Sequence, residues 1–149
     1  MATPQLPPDF RDFLRLLNAK NVEYLLIGGY AVGFYGYVRA TADIDVWIAM
    51  DRLNAERAVE VLREFGFNVP ELSPEIFLKP DAIIRMGVPP FRIEVLTGIS
   101  GVIFEECYAE RVQANLDGEE ISLISLKHLK MNKRASGRSK DLVDLEHLP

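Results

Sequence analysis

The chain has a single cysteine, Cys107, among 149 residues, so it can form neither an internal disulfide nor a thiolate-rich zinc site. No apolar run approaches the length of a membrane span. The first ten residues, MATPQLPPDF, lack the basic start and apolar stretch of a signal peptide. The two histidines, His128 and His147, are far apart in the sequence, with no serine or cysteine motif to serve, so no nucleophile–base pair can be assembled from them. Internal repeats and low-complexity segments are missing as well. These absences predict a cytoplasmic chain, and the length predicts one domain over residues 1–149 that buries about two thirds of its unfolded surface. With 48% hydrophobic residues it has the material for a core.

An overall positive charge is lacking too. The formal net charge of −5 argues against a whole-surface grip on nucleic acid. The average hides an asymmetry, because residues 127–140 hold Lys127, Lys130, Lys133, Arg134, Arg138 and Lys140, six of the 17 basic residues, and no acidic one. A local basic face of this kind suits a polyanion such as a nucleoside triphosphate or an RNA end.

What the chain does have is the stretch Leu25 to Ile48, LLIGGYAVGFYGYVRATADIDVWI. It reads as a buried strand over Val22 to Ile27, a Gly28-Gly29 turn into a short helix from Gly29 to Tyr35, a loop with Arg39, and a second strand from Asp43 to Ala49. Successive side chains on a strand alternate faces, so Asp43, Asp45 and Trp47 share one side while Ile44, Val46 and Ile48 share the other. Two carboxylates standing together repel, the more so when buried, unless a cation lies between them. Oxygen-only ligation suits Mg²⁺ completed by substrate phosphates and water. The glycine turn allows close backbone approach, and the helix after it offers free N–H groups to phosphate. An i, i+2 acidic pair alone is weak, since a chain with 22 acidic residues holds about three by chance. Its conjunction with the apolar strand, Gly-Gly turn and short helix is far more specific.

That conjunction resembles the nucleotidyltransferases of the polymerase-beta-like superfamily, whose signature is a Gly-Gly or Gly-Ser after the first strand and an Asp-x-Asp after the helix. Here the two parts are Gly28-Gly29 and Asp43-Ile44-Asp45. The closer likeness is to small bacterial members related to abortive-infection and toxin–antitoxin nucleotidyltransferases, which show an Arg-x-Thr before the aspartates, present as Arg39-Ala40-Thr41. Gly29 departs from the serine many members carry. The resemblance implies an α/β (α+β) fold, with a mixed central sheet flanked by helices. It also implies transfer of a nucleoside monophosphate from a nucleoside triphosphate to an acceptor hydroxyl, with two Mg²⁺ ions, or Mn²⁺ in their place, held by Asp43, Asp45 and a third carboxylate. Glu94, in the strand Phe91 to Leu96, is the residue placed to be the third, where aspartate is more common. A structural alternative pairs Glu94 with Arg92 or Arg85.

By the same comparison, SLKHLKMNKRASGRSKDLVDL (Ser125 to Leu145) looks like the family's C-terminal element. Helix phase places Lys133 on the row of Leu126 and Leu129 and leaves Lys127, Lys130 and Arg134 on a more open flank, so Lys133 is the expected phosphate ligand. Gly28, Gly29, Arg39, Thr41, Arg138 and Lys140 complete the expected nucleotide and phosphate contacts. Asp141 and Asp144 are expected to cap a helix and hold Lys133 or Arg138.

The remaining chain predicts an amphipathic helix capped by Asp9 with Phe10, Phe13, Leu14 and Leu17 inward, and a helix capped by Asp51 and closed by Gly66. An irregular connection from Phe67 to Pro80 should hold at most one helical turn. Strands Ala82 to Val88 and Phe91 to Leu96 are expected to meet at Pro89-Pro90. A short helix over Gly101 to Tyr108 and a hairpin about Asp117-Gly118 precede two helices, from Ser125 and from Ser139. Cys107 and most of Tyr30, Phe34, Tyr35 and Tyr37 are expected in the core, and Trp47 to pack at its strand end. Two rival readings stand beside the enzyme. One is a non-catalytic or regulatory relative serving in a two-protein, toxin–antitoxin-like module. The other is nucleic-acid binding through the 127–140 helix, which predicts affinity falling steeply with salt. The acceptor (small molecule, protein or RNA end), the preferred nucleotide and any partner protein stay open.

Overall fold

The structure is a computed structural model that describes residues 6–41, 43–87 and 91–149. Helix α1 spans Pro8–Ala19, with Phe10, Phe13, Leu14 and Leu17 buried. Its cap position is Pro7, which makes no side-chain hydrogen bond. Asp9 therefore lies inside the first turn rather than at the cap expected for it, because a proline at the first helical position is already set to a helical φ. Strand β1 (Tyr24–Ile27) is buried throughout and starts two residues later than expected. The Val22 N–H is taken by Leu17 O across Asn21, which has φ 57, and both backbone groups of Glu23 are bound by the Asn54 amide at 2.7 and 3.1 Å. The Glu23 carbonyl also accepts from the Ala49 N–H at 3.1 Å, but with the Val22 and Glu23 N–H groups held by Leu17 O and Asn54 Oδ1 the strand ladder begins only at Tyr24.

Helix α2 (Gly28–Phe34) follows without a linker, and strand β2 spans Asp43–Ile48. Helix α3 (Arg52–Phe65) is capped by Asp51, which accepts from the Asn54 N–H at 2.9 Å, and ends at left-handed Gly66. Its Phe65 meets Phe13 of α1 edge-on at 5.3 Å. The connection that follows contains one 3-10 turn, Pro74–Leu78. Strands β3 (Ile83–Met86) and β4 (Arg92–Leu96) pair antiparallel. The bend expected at Pro89-Pro90 lies outside the described residues. Helix α4 (Phe104–Ala109) carries the buried Cys107, whose thiol is pushed up to about 11 by burial. Phe104 packs edge-on against Trp47 at 5.1 Å, and Trp47 lies in the core.

Strands β5 (Val112–Leu116) and β6 (Glu119–Leu123) form the expected hairpin. Asp117 and Gly118 both take positive φ, 52 and 84, the geometry of a two-residue turn matched to strand twist. Helix α5 (Leu126–Ser136) is capped by Ser125 and closed by left-handed Gly137, and α6 (Ser139–His147) ends the chain. The six strands run in the order β3-β4-β2-β1-β6-β5. β2 lies antiparallel to β1 and parallel to β4, and β1 lies parallel to β6. The sheet is therefore mixed, and its two central strands, β1 and β2, are those that frame the glycine turn and the aspartates. No helix among the described residues is long and apolar enough to cross a membrane.

Candidate active site

The register of β2 against its neighbours decides what surrounds the aspartates. Asp45 stands opposite Ile27, the last residue of β1, and opposite Glu94 on β4, while Asp43 stands opposite Arg92. The chain turns from β1 into α2 at Gly28, whose φ of 71 suits glycine, and a Cβ there would be driven into Asp45 Oδ2. Asp45 therefore lies directly against the turn. At Gly29 a Cβ would sit 2.6 Å from Thr41 Oγ1 and 3.4 Å from Arg39 Nη1. The space a serine side chain would need at this position is filled from the facing loop by Thr41, whose hydroxyl donates to Asp43 O at 3.3 Å.

The three carboxylates differ in how their charge is answered. Asp43 accepts a hydrogen bond from Arg92 Nη2 at 2.9 Å, and this contact holds its carboxyl below the usual range. Glu94 lies 3.4 Å from Arg85 Nε and 3.7 Å from the same Arg92 Nη2, so both pairings weighed for it from the sequence occur together. Asp45 makes no ion pair among the described residues. Burial, then the charges of Glu94 and Asp43, push its pKa up to about 6.

Across the cleft, α5 and α6 enclose a denser ion cluster. Lys133 is buried, with Nζ 3.1 Å from Asp141 Oδ1 and 3.0 Å from Asp144 Oδ2. Arg138 Nε reaches Asp141 at 2.8 Å. Arg39 crosses from the loop before β2 and binds Asp144 in bidentate fashion at 2.8 and 2.9 Å. Burial alone would raise both aspartates, but hydrogen bonds outweigh it and hold both below the usual carboxylate range: those from Arg138, Ser136 and Lys133 for Asp141, and those from Arg39 and Lys133 for Asp144. These aspartates hold Lys133 and Arg138 as expected but cap no end of α6, whose cap position is Arg138 with no side-chain cap hydrogen bond. Lys133 lines the cleft while its ammonium rests between these two carboxylates. Lys140 makes no ion pair among the described residues, yet its charge acts on both Asp43 and Asp45.

All ten residues expected at the site, Gly28, Gly29, Arg39, Thr41, Asp43, Asp45, Glu94, Lys133, Arg138 and Lys140, line one cleft of about 700 Å³. Sequence reasoning left out Arg85 and Arg92, which line it too. Strand alternation put Arg92 on the Glu94 side of β4, but its contact with Asp43 depends on the β2–β4 register. A hard divalent cation fits the donor chemistry, since Asp43, Asp45 and Glu94 offer oxygen only, from adjacent register positions, with the Asp45 charge unanswered. As the side chains stand, no three Asp, Glu, His or Cys groups among the described residues converge closely enough to share a metal ion, and Asp43 and Glu94 face guanidinium groups instead.

No protein-family model matches the chain, and no curated protein does. Solved structures do. A Thermotoga maritima protein provisionally assigned as a nucleotidyltransferase superposes with a TM-score of 0.63 at 15% identity, covering 92% of this chain and 88% of that one. The lincosamide antibiotic adenylyltransferase LnuA, solved with lincomycin bound, gives 0.58 at 14% identity, with 95% of each chain covered. Both are nucleotidyltransferase-fold proteins, and the fold of this chain is theirs.

Proposed function

We propose that the chain is a metal-dependent nucleotidyltransferase that moves a nucleoside monophosphate from a nucleoside triphosphate to an acceptor hydroxyl. The observation that carries this reading is the placement of Asp43, Asp45 and Glu94 at neighbouring register positions of β2 and β4, with Asp45 against the Gly28 turn, in a cleft that six cationic side chains also line. Like charges placed side by side at 45 and 94, both partly shielded from water, cost stability that a purely structural site would not keep. The nucleotidyltransferase fold of both structural neighbours supports the same reading.

In this reading Asp43, Asp45 and Glu94 would hold the divalent cations, which would supply positive charge for the triphosphate and the leaving pyrophosphate and would lower the pKa of the attacking hydroxyl. The Gly28-Gly29 backbone lets phosphate approach, and Thr41 borders the same space. Lys140 lines the cleft with no ion-pair partner among the described residues, while Arg39 and Arg138 present guanidinium groups held by Asp144 and Asp141. Lys133 acts through those aspartates, as a positioning residue. The acceptor oxygen forms its bond to the α-phosphorus as the bond to the bridging oxygen breaks. Its proton passes to a carboxylate of the cluster, for which Glu94 is the candidate.

The test is thermal unfolding with each of the four nucleoside triphosphates, with and without Mg²⁺, on wild type and on Asp43→Ala/Asp45→Ala. Metal-dependent stabilisation by a nucleotide, absent in the double variant, is the expected outcome and names the donor. No shift with any nucleotide would overturn the reading. Transfer activity undiminished in Asp43→Ala would do the same.

A further inference from the structure

Arg92 sits at the start of β4 in register with Asp43, and one of its terminal nitrogens reaches carboxylates on two strands, Asp43 Oδ2 at 2.9 Å and Glu94 Oε1 at 3.7 Å. Its Nε is shielded from solvent and has no hydrogen-bond partner among the described residues. The guanidinium is therefore anchored only at its tip, by the two carboxylates it bridges. Those carboxylates are two of the three that would hold a divalent cation, so a guanidinium and a metal ion compete for the same oxygens. Arg85 adds a second contact to Glu94 from β3, but it touches neither aspartate among the described residues.

We propose that Arg92 is the resident counter-ion of the Asp43–Glu94 pair, yields those oxygens to the incoming divalent cation, and then binds the anionic triphosphate in the same cleft. This rests on the nucleotidyltransferase reading of the site and adds to it a residue that changes partner during the cycle. The side chain is tethered at the strand start and lines the cleft with Gly28, Gly29 and Lys140. Once displaced, it needs a new anion, and the triphosphate is the one arriving. Two effects of opposite sign follow. Removing the guanidinium frees Asp43 and Glu94 for metal but deprives the metal-loaded cleft of a charge-assisted hydrogen bond to phosphate.

The experiment measures binding of Mn²⁺ alone by electron paramagnetic resonance, and of inorganic triphosphate by calorimetry with Mn²⁺ present. The full chain is used as wild type, Arg92→Gln, Arg92→Lys and Asp45→Asn. Arg92→Gln is expected to bind Mn²⁺ alone about fivefold tighter than wild type, and to bind triphosphate with Mn²⁺ about fivefold more weakly, the scale of one partly exposed charged contact. Arg92→Lys keeps a charge but on a shorter side chain without the planar guanidinium, which weakens both contacts without removing them, so it should shift both constants in the same directions by about twofold. It serves as the readout if Arg92→Gln does not fold. A merely structural role for Arg92 would weaken both constants together. Unchanged or weaker Mn²⁺ binding, or unchanged triphosphate binding, overturns the proposal. If wild type binds Mn²⁺ and Asp45→Asn does not, while Arg92 has no effect, the reading of the site stands and only this inference falls. Wild type that binds neither probe removes both.

Discussion

Two groups of charges face each other across the cleft. Between α5 and α6, Asp141 and Asp144 are answered by Lys133, Arg138 and Arg39, every contact between 2.8 and 3.4 Å. On β2 and β4, Asp43 and Glu94 lean on arginines at the edge of the cleft, and Asp45 has none among the described residues. A closed ion cluster ties a helix pair together, whereas a partly answered carboxylate set leaves charge for a ligand to meet. On the proposed reading, the difference separates the scaffold of the cleft from the part that takes substrate.

The comparison breaks most visibly at Lys133. Lys133→Met leaves two buried aspartates short of a cation and should cost about 3–5 kcal/mol of folding free energy, read by urea denaturation. Loss below about 1 kcal/mol would mean that Arg39 and Arg138 suffice. Acid should act on the same cluster. Asp141 and Asp144 have folded pKa values below their unfolded value of 3.8, so their stabilisation is present above that value and is lost as pH falls through the lower folded values. Stability measured from pH 6 down to 2 should fall below about pH 4, and the drop should be smaller in Lys133→Met.

On the strand side the sign reverses. Asp45→Asn removes a largely shielded charge that has no ion-pair partner among the described residues, so the metal-free variant should be more stable than wild type at pH 8 by about 2 kcal/mol, while any response to divalent cations is lost. A less stable variant would show that the Asp45 charge is answered after all. Gly28→Ala should cost about 1–2 kcal/mol, from its positive φ and the collision with Asp45. A double-mutant cycle with Asp45→Ala should recover part of that cost, because the atom it strikes is then gone. The smallest effect is expected at Lys127, paired with Glu110 on the exposed flank of α5 at 3.3 Å. Lys127→Ala should change stability by no more than about 0.5 kcal/mol, which sets the scale against Lys133 two turns along the same helix.

That contrast between Lys127 and Lys133 was readable from helix phase, since Lys133 continues the row of Leu126 and Leu129. What the buried lysine meets there was readable only in outline, as Asp141 and Asp144 holding it. The bidentate reach of Arg39 to Asp144 spans 105 residues, and no periodicity reports it. Caps at Asp51 and Ser125, the Gly66 and Gly137 stops and the Asp117-Gly118 turn were legible because each depends on a few consecutive residues. The start of β1 was misplaced because the Glu23 backbone is bound by the Asn54 side chain from α3.

The sequence by itself determined the alternation that puts Asp43 and Asp45 on one face of β2, the glycine turn before α2 and the helical repeat that buries Lys133. These depend on local backbone geometry, whose periods are set by residue type. Only the tertiary structure decided that β4 runs parallel to β2 with Glu94 opposite Asp45 and Arg92 opposite Asp43, and that Thr41 fills the space beside Gly29. Strand register and loop placement are fixed by packing between residues distant in the chain, and a shift of one residue would turn Glu94 away from the aspartates.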